Sequence, residues 1–237
     1  MLLTSTLSTP RADPPPARQR AAARAPRRRL TSEERERQIV AGAIRFFARR
    51  GFDAQLRDLA HDIGVAHALL YHYFPTKQVL IERVYRELVE RRWDAAWDAM
   101  FDDPALDPEE KFTRFYGIYL GEICSYEFVR ILIFSGLSDR QFEDRFFAMM
   151  RARVFPRLIR EMRRHCGIAS RARPSARELE LLMGLHGGVF YIAMRRFVYG
   201  QSVHGAETQE HDEVVVRDRV RAYLMSAGAV LATKPKR

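Results

Sequence analysis

The sequence predicts an all-α protein, and three observations carry that expectation. Apolar residues recur at the three-to-four-residue spacing of amphipathic helices, as in Ile39, Ala43, Phe46 and Phe47. Helix-start signatures recur along the chain: Thr31 with Glu34, Asp107 with Pro108, and Ser175 with Glu178. No Val/Ile/Thr alternation at period two is long enough to build a sheet.

The elements follow in order. The first helix opens at Thr31-Ser32-Glu33-Glu34, a capping-box spacing, and ends at Gly51, expected as a left-handed C-terminal cap. Two short segments, about Leu56 to Ile63 and Ala66 to Tyr73, are separated only by Gly64-Val65, the mark of a tight helix-turn-helix. Pro75-Thr76 stops the second and caps a longer helix, Lys77 to about Met100, with Val79, Leu80, Val84 and Leu88 inward and Trp93 and Trp97 at i, i+4. Phe101 to Pro108 is rich in turn residues and is expected to be a linker closing the first domain. Beyond it, helices are expected at about 108–124, 126–136, 139–165 with a kink at Pro156, 175–199 and 212–232, with a polar loop from Gln201 to Asp212.

Composition bounds the class. The 237 residues suffice for one or two domains with real cores. At 47% hydrophobic and 30% charged the body is expected to fold as a globule. The longest apolar stretch, around Arg130 to Leu137, falls far short of the roughly 18 residues a membrane span needs, so no membrane partner is expected. Cys124 and Cys166 are the only cysteines and form no C-x-x-C pair, which rules out a disulfide framework and fits a reducing cytoplasm.

The formal charge of +10 is concentrated: residues 1–30 hold seven Arg against one Asp. Pro14, Pro15, Pro16 and Pro26 interrupt this stretch and it has no apolar period, so residues 1–31 are expected to form a disordered basic tail. Its order of charges is not that of a secretory signal. A cationic arm beside a nucleic-acid-binding domain slows dissociation through phosphate contacts; a merely solvated tail is the plainer alternative. Residues 233–237 form a second, short basic tail.

The segment Leu59 to Lys77 has a physical logic. Ala60 is small where two helices cross, Gly64 supplies the positive φ that a three-residue turn needs, and Val65, Leu70 and Phe74 lock the second short helix onto the first. Left outward are Ala66, His67, Leu69, Tyr71, His72 and Tyr73, a short surface fit for a major groove.

From Ser32 to Arg92 these residues resemble the DNA-binding domain of the TetR family of bacterial transcriptional regulators. The resemblance runs through Phe46-Phe47, Gly51-Phe52, Leu59-Ala60, Gly64-Val65, Leu70-Tyr71-x-Tyr73-Phe74 and Lys77. It implies an N-terminal three-helix helix-turn-helix domain at 32–92, its motif at about 55–74, followed by a helical ligand-binding and dimerisation domain at 93–232. It also implies a homodimer on a palindromic double-stranded operator and a small-molecule inducer. Tyr71 and Lys77 match positions that contact phosphates, and His67 and His72 match positions that face the groove; Arg57 begins the motif's first helix, where a backbone contact fits. The chain departs from the family's pattern in three places. It is one residue shorter between Gly51 and Leu59, with Gln55-Leu56 where a hydroxyl pair caps the helix. Ala66 replaces a hydroxyl cap, and Leu69 replaces a frequent Thr, so the recognition surface is less polar than the family's.

Residues 108–232 are rich in aromatics that chiefly build a helical core. Within the apolar run Met183 to Tyr199 stand Gly184, His186, Gly187, Gly188, Arg195 and Arg196. Glycines inside a helix destabilise it by about 1 kcal/mol each, so a close approach or a cavity should justify them. They either let a second subunit pack closely or open space for a ligand beside His186. Tyr119, Cys124, Phe128, Met183, His186, Phe190 and Arg195 are the candidate ligand-contacting residues, suited to a hydrophobic molecule with an acidic group. Arg195 and Arg196 are adjacent and point different ways, so only one can face a pocket.

No G-x-S-x-G, H-E-x-x-H, phosphate-binding glycine loop or dinucleotide fingerprint occurs, so no enzyme, cofactor or metal is expected. The competing expectation is a helical interaction protein with weak, non-specific DNA binding.

Overall fold

The computed structural model describes residues 30–92, 95–138, 140–203 and 208–232. The basic segments at both ends and Trp93 lie outside the described residues. Eleven α-helices occur among the described residues, and no strand: α1 (Ser32–Arg50), α2 (Leu56–Asp62), α3 (His67–Tyr73), α4 (Lys77–Leu88), α5 (Ala95–Asp102), α6 (Pro108–Ile118), α7 (Tyr126–Gly136), α8 (Gln141–Met149), α9 (Phe155–His165), α10 (Ala176–Phe197) and α11 (Gln209–Ala232).

The helix starts form as the sequence requires. Thr31 and Ser175 each close a full capping box with Glu34 and Glu178. Thr76 and Asp107 cap α4 and α6 through their side chains. Gly51 departs from expectation: its φ of 74° is positive, but ψ is 177°, a glycine conformation outside the left-handed helical region.

The expected helix from Lys77 to Met100 is broken. The α-helix ends at Leu88, a single 3-10 turn follows at Glu90–Arg92, and α5 begins at Ala95. On one straight helix Leu88 and Trp97, nine residues apart at about 100° per residue, would face opposite sides. The break lets both bury, Leu88 in the N-terminal core and Trp97 against Phe115 at 5.6 Å between ring centroids. The expected linker is correspondingly shorter, because Phe101 is fully buried inside α5.

Two π turns interrupt the other long helices. Tyr119–Ile123 continues α6, with the Cys124 amide donating to the Tyr119 carbonyl five residues back at 2.9 Å. Met150–Val154 joins α8 to α9, so the interruption assigned to Pro156 begins upstream of it; proline at the start of α9 lacks the donor that would continue the preceding register. The last helix begins at Gln209, inside the expected loop.

One hydrophobic core runs through the molecule, from Ile39 and Phe47 through Phe142 and Phe115 to Val220. The N-terminal bundle rests on α7 and α8: Phe52 and Tyr85 meet the Phe142 ring at 6.0 and 5.1 Å. Arg145 of α8 pairs with Glu82 and Glu90 and lies 4.2 Å over the Tyr85 ring. Helices α6, α10 and α11 pack together at the opposite end.

Candidate nucleic-acid interface and the buried polar cluster

Helix α2 is anchored by Leu59 and Ala60, both buried, and α3 by Leu70 and Phe74. Gly64 turns between them with φ 67°, and the Val65 amide donates to the Ala60 carbonyl at 3.0 Å. Arg49 grips both oxygens of Asp62 at 2.9 and 2.7 Å, fastening the end of α2 to the end of α1 and neutralising the carboxylate nearest the turn.

With Leu70 inward, the opposite face of α3 is open. Ala66, His67, Tyr71 and His72 are exposed, Leu69 is half-buried, and the His67 and Tyr71 rings meet edge to face at 4.8 Å. Arg57 is exposed on α2, and Lys77 stands half-buried at the start of α4. Tyr73 is placed otherwise than the sequence implied: it is half-buried against the core, its hydroxyl accepting from Ser32 Oγ at 3.3 Å, so it ties α3 to α1. Neither α2 nor α3 has a side-chain N-cap, as Gln55 and Ala66 foretold.

In the C-terminal part the expected ligand residues divide. Tyr119, Cys124 and His186 come together: Tyr119 Oη lies 3.3 Å from His186 Nε2, and the Cys124 thiol is buried beside the phenol. The Tyr116 and Phe155 rings stand 6.0 and 5.5 Å from the imidazole. Burial holds His186 down to about 4, so it is neutral, and pushes the Cys124 thiol up to about 12, far from thiolate reactivity. Among the described residues, His186 Nδ1 and the Tyr116 and Tyr223 hydroxyls are buried without a hydrogen-bond partner. Phe128 belongs to the aromatic core beside Phe142 and Phe146, and Met183 and Phe190 are half-buried against that core. Arg195 does not join them: nine residues beyond His186, it lies half a turn round α10.

Arg130 is a functional contact with no signal in local sequence. Its Nε donates to the Ala48 carbonyl at 2.6 Å and its Nη1 to the Phe197 carbonyl at 3.5 Å, joining the ends of α1 and α10 through α7. Contacts across 82 and 67 positions leave no local pattern in a sequence.

No helix among the described residues is long and apolar enough to cross a membrane, and no group of three or more potential metal ligands occurs among them.

A buried hydrophobic anchor, a tight turn and an open, short second helix define a helix-turn-helix DNA-binding protein. Residues 39–84 match the family described as bacterial regulatory proteins, tetR family. Residues 39–84 are thus a tetR-type helix-turn-helix segment. Over 109 residues it is 28% identical to the HTH-type transcriptional repressor KstR2 of Mycolicibacterium smegmatis, covering 45% of this chain and 51% of that protein. Over 99 residues it is 27% identical to the HTH-type transcriptional regulator EthR of the same organism, covering 41% and 45%. The chain thus matches about half the length of these curated relatives. Among solved structures, a transcriptional regulator from Pseudomonas aeruginosa has a TM-score of 0.63 at 16% identity, covering 85% of this chain and 96% of that one. A TetR-like regulator from Rhodococcus has 0.61 at 18%, covering 83% and 99%. At such identities these structures share the fold.

Proposed function

We propose that the chain is a ligand-responsive transcriptional regulator, a repressor that binds a palindromic operator as a homodimer and is released by a small hydrophobic inducer. The observation that carries this reading is the outer face of α3, where Ala66, His67, Leu69, Tyr71 and His72 project from a helix held by Leu70. His67 and His72 face base edges, Tyr71, Lys77 and Arg57 hold phosphates, and Tyr73 positions α3. Residues 32–92 are the DNA-binding unit and 93–232 the ligand-binding and dimerisation unit, in the cytoplasm.

The outer face of α10 and α11 supports the dimer. Gly184, Gly187, Tyr191 and Met225 are exposed there, and a Cβ on either glycine would meet nothing. Such a surface fits a second copy packing on a two-fold axis. The unpartnered His186 Nδ1 and Tyr116 hydroxyl support an inducer site in the buried cluster, with Tyr119 and Cys124 beside them and Met183, Phe190 and Phe128 as its apolar surroundings. An inducer entering there would move α7, and with it α1 through Arg130, changing the separation of two recognition helices that must reach half-sites about 34 Å apart. The Arg-rich N-terminal arm adds phosphate contacts; truncation before Leu30 that leaves DNA affinity unchanged would remove that part of the proposal.

The test is selection of duplexes from random DNA by the full-length protein at about 150 mM salt. One palindrome bound tightly by a dimer is the expected result. Salt-sensitive binding to all sequences alike would favour the helical interaction protein instead.

A further inference from the structure

The Arg219 side chain of α11 reaches over Gly188 of α10. A Cβ there would stand 2.8 Å from Arg219 Nη1, and that nitrogen donates to the Gly188 carbonyl at 2.9 Å. The guanidinium of α11 is thus held at the α10 backbone, at the rim of a cavity of about 140 Å³. Ile192, Val203 and Val215 wall the cavity, Arg195 and Arg219 are its cations, and Asp212 is its carboxylate.

The charges do not balance. Both Asp212 oxygens are taken by Arg196, at 2.8 and 3.1 Å, on the neighbouring direction of α10. Arg195 lies 5.9 Å over the Tyr191 ring, and Arg219 has only the neutral Gly188 carbonyl. Burial chiefly, and the neighbouring Arg195 secondarily, push the Arg219 guanidinium below its ordinary value. His211, also lining the cavity, adds no negative charge. Two guanidinium groups lining one space, neither paired with a carboxylate among the described residues, are matched to the paired oxygens of an oxyanion.

We propose that this cavity is an oxyanion site, in which Arg195 and Arg219 hold the carboxylate or phosphate group of a small ligand and Ile192, Val203 and Val215 contact its adjoining atoms. The site is distinct from the buried cluster around His186 and stands independently of the DNA-binding proposal.

The experiment is calorimetric titration of the full chain with sodium butyrate and, separately, sodium phosphate, at ionic strength held constant with sodium chloride. Saturable binding of at least one is expected, with butyrate alone indicating a carboxylate ligand and phosphate alone a phosphorylated one. Arg195→Gln and Arg219→Gln should each weaken it at least tenfold while circular dichroism stays unchanged. Should a glutamine variant fail to fold, Arg219→Lys, which keeps the charge but not the fork, should weaken binding several-fold. No saturable binding of either anion by the wild type, or binding unmoved by these substitutions, overturns the proposal.

Discussion

Arg130 Nε donates to the carbonyl of Ala48 at 2.6 Å, satisfying one of the carbonyls that the last turn of α1 leaves without a helical partner. The bond fixes the DNA-binding bundle to the middle of the C-terminal part, between the Tyr126 and Phe134 rings that flank the guanidinium at 5.4 and 5.5 Å. Arg130→Met keeps much of the apolar stem and removes the donors. It should destabilise the protein by about 1 to 3 kcal/mol, because the carbonyl of the buried Ala48 loses a charged donor. Urea denaturation measures this, and a loss below about 0.5 kcal/mol would show that the contact is incidental.

Gly51 joins the two parts at the same place. Its φ of 74° disfavours any side chain, and a Cβ would stand 3.2 Å from the Phe134 ring. Gly51→Ala should therefore cost about 1 to 3 kcal/mol from strain and crowding together. A thermal midpoint equal to the wild type's would contradict this.

The empty cap of α3 predicts the opposite sign. Ala66 has the extended backbone of an N-cap, φ −65° and ψ 137°, but no oxygen to accept from the first free amides. Ala66→Ser should stabilise the domain by about 1 kcal/mol. Chemical denaturation decides it, and a neutral or destabilising result would mean that the amides are already satisfied by water.

Acid should unfold the protein in two windows. His186 is held down to about 4 from 6.5, so between those values the unfolded chain binds more protons and stability falls as pH drops. Glu178, gripped by Arg163 at 2.6 and 2.7 Å, is held down to about 2 from 4.5; its contribution is complete above 4.5 and is lost as pH falls towards 2. Each is worth on the order of 3 kcal/mol. His186→Asn should abolish the first limb of a stability-against-pH curve and leave the second; an unchanged first limb would refute the assignment.

On DNA, Arg57→Ala and Lys77→Ala should weaken binding to all sequences and lower the salt slope by about one each. His67→Ala and His72→Ala should relax the preferred sequence, by about 1 to 3 kcal/mol per lost base contact. Parallel titrations on the selected and a scrambled duplex separate the two effects, and equal losses for all four variants would undo the division of roles.

Sequence alone determined what depends on neighbours a few positions apart. The capping boxes at Thr31 and Ser175, the turn at Gly64 and the inward Leu70 are written in local spacing, because caps and turns form within one chain segment. Tertiary structure decided what depends on facing surfaces. Leu88 and Trp97 had to bury against different partners, and the chain broke between them. Tyr73 found Ser32, 41 positions away, and left the outer face of α3. Arg195 met Arg219 across α10 and α11 rather than His186 along its own helix. Side chains far apart in sequence acquire a common environment only when helices pack, and helical spacing sets directions but not neighbours.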